Sequence, residues 1–366
     1  MLGGVTKTNR GLDSSKKIIL HYQGDFNQGL FDPGSRDNCC EPFLLLKEEL
    51  GKLGYTIEKP ANQAIEDCDT ILYWDSITLP FSVTQFSFSK IYLKNLIKAG
   101  IRFFKRVPSR NWVKEAIKTN QQNKLVLLLW EGKVVCPGNF DQRLYKQFSR
   151  ILTWDDSLVD GRRFYKLFLP SPMQMPFVPS VPFSSKKLLV NISYYKTSSG
   201  NSELYSDRLK SIRYFEKHLP GDFDLYGFGW DQLVNTKHAF TSYRGIVKNK
   251  WEVLPKYKFA ICYENNHSQP GYITEKIFDC FRADCVPVYW GAPNIEQYVN
   301  PDCFVDRRKF QSNEELDAYL NGMTESDYEK FREAGRNYLQ TDQFNQFLSP
   351  AFVETFVRVV CGEGVL

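Results

Sequence analysis

The stretch with the most chemical content is Glu264–Lys276, ENNHSQPGYITEK. It follows an apolar run, Tyr257–Tyr263, that reads as a strand, and it opens a helical pattern over Thr274–Arg282. A loop between a strand's end and a helix's start presents free N–H groups and the positive end of the helix dipole, which together make an anion site. Pro270 and Gly271 suit a fixed turn with close backbone approach. Lys276 in the first helical turn adds a full positive charge that works against the dipole. Binding a phosphate removes that conflict; the plainer alternative is an exposed helical lysine. Arg208, beside Asp207 in the first turn of another predicted helix, is open to the same two readings. It is an exposed partner in a weak ion pair, or a guanidinium fork directed at phosphate oxygens. Glu131 directly follows the apolar run LVLLLW, so it stands at the carboxyl end of a buried strand. Apolar neighbours raise a carboxyl pKa and fit such a residue to remove a proton near neutrality; the plainer alternative is a strand-end glutamate in solvent or in an ion pair. Asp155 and Asp156 in TWDDSLVD read as turn residues.

The elements that must position these groups alternate strand and helix. In the first half, strands are expected at Lys17–Tyr22, Thr70–Trp74 and Leu125–Trp130, and helices at Pro42–Leu53 and Tyr92–Ala99. Leu125–Trp130 is apolar on both faces, as in a strand inside a parallel sheet. Five prolines between Leu169 and Lys186 forbid a regular element there and mark a linker. The rhythm then restarts with strands at Lys187–Ile192, Phe223–Tyr226, Tyr257–Tyr263 and Cys285–Trp290. Helices are expected at Ser206–Leu219 (Ser206 as the N-cap), Thr274–Arg282, Glu314–Leu320, Glu325–Leu339 and Ala351–Val360. The βαβ rhythm implies doubly wound α/β domains, with ligands outside the carboxyl ends of the strands. The expected division is an N-terminal domain over 1–169, a linker over 170–186, a second domain over 187–345 and a C-terminal helix within 346–366. No internal repeat is visible.

Composition excludes several classes. With 42% hydrophobic and 24% charged residues among 366, the chain is globular rather than disordered. A net charge of +5 is too mild to argue for nucleic acid. Neither G-x-x-x-x-G-K-[ST] nor a G-x-G-x-x-G turn after the first strand is present, which disfavours a kinase, an ATPase or a nicotinamide enzyme. Nine cysteines without a C-x-x-C pair, and four scattered histidines, predict no metal site and free thiols in a reducing compartment. No run approaches the about 20 apolar residues needed to cross a bilayer. The first seventeen residues lack an apolar signal region. The expectation is a cytoplasmic protein without a transmembrane segment.

At ENNHSQPGYITEK, followed by CVPVYWGAPN and PDCFVD, the chain resembles the α1,3-fucosyltransferase family, glycosyltransferase family ten. The matching parts are Glu264-Asn265, Tyr272-Ile273-Thr274-Glu275-Lys276, Pro287-Val288 and Gly291-Ala292, with further matches at Tyr205–Gly227 and Leu127–Phe140. The resemblance implies a GT-B architecture, two Rossmann-like domains facing across a cleft. It also implies inverting transfer of fucose from GDP-fucose to a hydroxyl, O3 of an N-acetylglucosamine or glucose unit, of an oligosaccharide or glycoconjugate, with no cofactor required. By the same resemblance Lys276 and Arg208 contact the diphosphate. Asn265, Tyr272 and Glu275 surround the ribose and fucose, Glu275 either favouring the positive ring or holding the ribose hydroxyls. Glu131 is the general base. This chain has Glu131-Gly132-Lys133 where many members have Glu-Ser-Pro. Loops such as 23–38 set the acceptor. A soluble bacterial or viral type of member is expected, with a Golgi setting only if an N-terminal anchor has been removed. The alternatives are a transferase using another GDP-sugar, and a nucleotide-sugar- or glycan-binding module without catalysis.

Overall fold

The computed structural model describes residues 15–79, 110–173, 178, 181–233, 236 and 239–362. The helix expected at Tyr92–Ala99 lies outside them.

Six parallel strands form the first sheet: β1 (Lys16–His21), β2 (Tyr55–Glu58), β3 (Thr70–Trp74), β4 (Leu125–Leu129), β5 (Arg150–Thr153) and β6 (Phe164–Lys166), in the order β2-β1-β3-β4-β5-β6. The second sheet holds β7 (Lys187–Ile192), β8 (Phe223–Tyr226), β9 (Tyr257–Tyr263), β10 (Val286–Trp290) and β11 (Val305–Asp306), in the order β11-β10-β9-β7-β8. Counted from its own first strand, each sheet starts 2-1-3-4-5. Each therefore has a switch point between its first and third strands, β1/β3 and β7/β9, where a crevice opens at the carboxyl ends. This is the GT-B architecture. Strands β2, β5, β6 and β11 were not expected from the sequence. At two to four residues each, they are too short to establish a period.

Helices α1 (Glu41–Lys52) and α2 (Trp112–Lys118) cover the first sheet. Around the second lie α3 (Tyr205–His218), α4 (Glu275–Arg282), α5 (Asn313–Gly322) and α6 (Glu325–Tyr338). Strand β4 is buried along its whole length, as its uniform apolarity requires. Several helix starts differ from expectation by one or two residues, and at two of them the capping differs as well. Ser206 is inside α3, and its N–H donates to the Glu203 carboxylate at 3.0 Å, so the acceptor comes from a longer side chain one turn earlier. Thr274 is the N-cap of α4 rather than its first residue.

The final helix, α7 (Ser349–Cys361), does not stand apart. Its Phe352, Val353, Phe356, Val357 and Val360 join Ile18, Leu20, Leu72 and Val126 in the core of the N-terminal domain. Its carbonyls at Val359 and Val360 accept from the Arg150 guanidinium. An isolated pairing of Ser171 with Leu348 leads the chain back across.

His21, at the end of β1, is buried against the Tyr73 ring at 4.0 Å and the edge of Trp112. Burial lowers its pKa to about 3, so it is neutral in the folded state. The unfolded chain binds the extra proton between about pH 6.5 and pH 3, and stability falls as pH falls through that window. Urea unfolding of wild type and His21→Phe at pH 7 and pH 5 checks this. The variant should gain about 2 kcal/mol relative to wild type on going to pH 5.

Candidate active site

Strand β9 delivers the chain to the second domain's switch point. The next residue, Glu264, extends the ladder by donating its N–H to Trp290 O at 2.8 Å. Its side chain is fully buried, and a buried carboxylate must be paired. Oε1 accepts from the Thr274 N–H and hydroxyl, both at 2.9 Å, and Oε2 accepts from Lys276 Nζ at 2.9 Å. Lys276 Nζ also donates to Thr274 Oγ1 at 2.8 Å. Burial opposes the ammonium charge, but the carboxylates of Glu264 and Glu275 outweigh it and hold Lys276 above its ordinary pKa. Glu275 is likewise opposed by burial, yet Lys276 and Lys250 keep it below the usual carboxylate range. Lys250 in turn pairs with the buried Asp279 of α4, and its backbone N–H donates to Asp37 of the N-terminal domain. Burial pushes Asp279 up to about 6.

Arg208 is not an exposed ion-pair partner. It is 5% exposed, and Nη2 donates to the carbonyls of Tyr263 at 2.6 Å and Glu264 at 2.9 Å. Asp207 pairs instead with Lys210. Arg208 and Lys276 are near enough to repel each other, and both stand at the carboxyl end of β9.

Glu131 meets this group from the first domain. Its carboxylate is half-buried and accepts no hydrogen bond among the described residues. Burial raises its pKa, against the fields of Lys196 and Lys276. Tyr205 and Tyr272 both lie within the field of Glu131. Tyr272 is buried, with its hydroxyl accepting from Asn265 Nδ2 at 3.3 Å. Thus Glu131, Arg208, Asn265, Tyr272, Glu275 and Lys276 form one neighbourhood. Sequence reading gave no role to Glu264, Lys196, Lys250, Tyr205 or Asn266; among the described residues, Tyr205 Oη and both polar atoms of Asn266 are buried without a hydrogen-bond partner. Tyr205 and Asn266 lie in or beside the motifs already noted, so their sequence position was the available signal.

The two domains are joined at the edge of this site. Tyr272 packs on Trp154 with ring centroids 4.6 Å apart. Asp156, expected as a turn residue, accepts from Asn294, Tyr298 and Lys166, while its N–H donates to Pro270 O. Asp155 keeps the turn role, accepting from the Ser157 N–H. Gly132 lies against Asn266 and Gln269, and the Lys133 N–H donates to Gln269 Oε1 at 3.0 Å. Glycine after Glu131 therefore has a steric reason: a Cβ there would lie 2.8 Å from Asn266 Nδ2.

Residues 186–351 match the family described as glycosyltransferase family 10 (fucosyltransferase), C-terminal part. The second domain is thus similar to glycosyltransferase family 10 over less than half of the chain. Over 74 residues the chain is 42% identical to the alpha-(1,3)-fucosyltransferase FucT of Helicobacter pylori, covering 20% of this chain and 15% of that protein. Over 147 residues it is 29% identical to mouse (Mus musculus) 4-galactosyl-N-acetylglucosaminide 3-alpha-L-fucosyltransferase 9, covering 40% of this chain and 35% of that one. These matches span well under half the length of the curated relatives. Among solved structures, an α1,3-fucosyltransferase with GDP shares the fold at a TM-score of 0.56 and 16% identity, covering 99% of this chain and 95% of the other. The Anabaena protein HepE in complex with UDP-glucose shares it at 0.52 and 11% identity, covering 94% and 99%. The family-10 match begins one residue before β7 and contains Arg208, Asn265, Tyr272, Glu275 and Lys276, whereas Glu131 lies outside it.

Two glycine substitutions test the seam. Gly132→Ala should cost about 1–3 kcal/mol, because the side chains it meets are buried. Gly271→Ala should cost more, since Gly271 has φ +81° and its Cβ would run into the Trp154 carbonyl. Thermal melts of both variants beside wild type would establish that order.

Proposed function

We propose that the protein is an inverting fucosyltransferase that moves fucose from GDP-fucose to a hydroxyl of a glycan acceptor, O3 of an N-acetylglucosamine or glucose unit. The observation that carries the reading is the opposition of two kinds of group across one seam: the cations Lys276 and Arg208 at the end of β9, and the unpaired carboxylate of Glu131 from the other domain. A nucleotide diphosphate suits the cations and the start of α4, which needs no metal in principle. A hydroxyl-rich substrate suits the orphaned Tyr205 Oη and Asn266 amide, since leaving buried polar atoms unpaired costs about 1–3 kcal/mol each.

In this reading the acceptor oxygen attacks the anomeric carbon from the face opposite GDP. The new C–O bond forms as the bond to the diphosphate oxygen breaks, and the leaving group takes the electron pair. Glu131 receives the hydroxyl proton. Lys276 and Arg208 absorb the charge that develops on the diphosphate, each contributing about 2–4 kcal/mol of transition-state stabilisation. Glu275, kept ionised by its lysine neighbours, faces the sugar end as a negative charge beside a ring that becomes positive. Asn265 and Tyr272 line the same wall.

The test is GDP release from GDP-fucose with lactosamine, lactose and chitobiose acceptors. Glu131→Gln should retain donor affinity and lose about 10²–10⁴-fold in turnover. Lys276→Ala should lose donor affinity. Because burial raises the Glu131 pKa above its ordinary 4.5, turnover should fall on the acid side at a pH above that value. Donor binding without turnover on any acceptor would favour a binding module. An absence of GDP-fucose binding would overturn the donor assignment.

A further inference from the structure

The Glu131 carboxylate is free, but its backbone is held on every side. The Trp130 N–H and Glu131 N–H both donate to Asp75 Oδ1, at 2.7 and 3.1 Å. The Glu131 carbonyl accepts from Asn139 Nδ2 at 2.9 Å, and the same nitrogen donates to Asp75 Oδ1 at 2.6 Å. The Trp130 carbonyl accepts from Trp154 Nε1 at 2.8 Å. Asn139 is itself fixed, its Oδ1 accepting from the Ser76 N–H at 2.8 Å. Three side chains from separate segments thus satisfy all four backbone groups of Trp130 and Glu131.

Asp75 is the centre of this clamp and a costly residue to keep. It is 4% exposed, and it sits at φ 60° and ψ 157°, a region populated almost only by glycine. A side chain held there strains the backbone. Its own N–H donates to Leu128 O at 2.8 Å, which locks the end of β3 to β4. A turn that served only to reverse the chain would accept glycine at this position without strain. The carboxylate is what glycine lacks, and that carboxylate is spent on the two amides flanking the Glu131 side chain.

We propose that Asp75 is a positioning residue for Glu131: it fixes the backbone from which the Glu131 carboxylate projects into the seam, and it acts on proton removal rather than on donor binding. The proposal rests on the fucosyltransferase reading for its effect on turnover. The clamp itself can be observed independently.

The experiment compares wild type with Asp75→Gly and Asp75→Asn in the full chain. Asp75→Gly removes the carboxylate and relaxes the backbone, so the variant should fold; Asp75→Asn keeps an acceptor oxygen. For Asp75→Gly the expected results are turnover lowered about 10- to 100-fold with KM for GDP-fucose within about twofold, as for a catalytic group displaced by about an ångström. Amide hydrogen exchange over residues 128–133 should accelerate, and Asp75→Asn should recover most of both properties. Unchanged turnover in Asp75→Gly, or a parallel loss of turnover and donor affinity, would overturn the proposal while wild-type activity left the transferase reading intact. If Asp75→Gly does not fold, Asn139→Ala, which opens the other end of the clamp, must give the same split between turnover and KM. A wild type without turnover would sink the transferase reading and, with it, the catalytic role given to Asp75. Unaltered exchange over 128–133 would refute the clamp itself.

Discussion

The active-site side of the second domain depends on one buried carboxylate. Placing Lys276 in the first turn of α4 sets a cation against the positive end of a helix, and Arg208 beside it adds a second. Left alone, that arrangement would repel itself. Glu264 resolves it by binding the Lys276 ammonium and the Thr274 N-cap with one side chain, while its carbonyl takes the Arg208 guanidinium. The helix start, both cations and the loop from Asn265 to Tyr272 are therefore referred to a single fixed point.

The same architecture occurs twice. Both sheets start with the order 2-1-3-4-5, although no sequence repeat is visible. Each has its own switch point, and the chain uses them differently. The second domain concentrates cations there, whereas the first supplies a carboxylate whose pKa is raised mainly by burial. Lys276 takes its counter-ion, Glu264, from its own domain, so Glu131 is not consumed as its permanent partner. The seam formed by Trp154, Tyr272, Asp156 and Asn294 sets the distance between them.

Much of this was legible in the residues. ENNHSQPGYITEK is continuous, so its strand, loop and helix start could be read together, and the uniform apolarity of β4 announced where Glu131 would stand. The polar network was not legible. Asp75 is 56 residues from Glu131, and Asp37 is 213 from Lys250; only the folded sheet order brings either pair together. Asp156 looked like an ordinary turn residue because its partners, Asn294 and Tyr298, are in the other domain. Ser206 has the residue type of a helix cap, yet Glu203 supplies the acceptor. Local preference was overridden there by a side chain with longer reach.

Helix α7 imposes an order on synthesis. The first sheet starts with β1, yet the core beside it includes Phe352, Phe356 and Val360, which follow the whole second sheet in the sequence. While the ribosome is still adding the second domain, the first exposes the apolar face that α7 will cover. The second domain has its sheet, its surrounding helices and its core residues Phe344 and Phe347 in place before α7 begins, so it can close first. An N-terminal half released early would carry an uncovered hydrophobic surface, and maturation of the first domain is thereby tied to synthesis of the second.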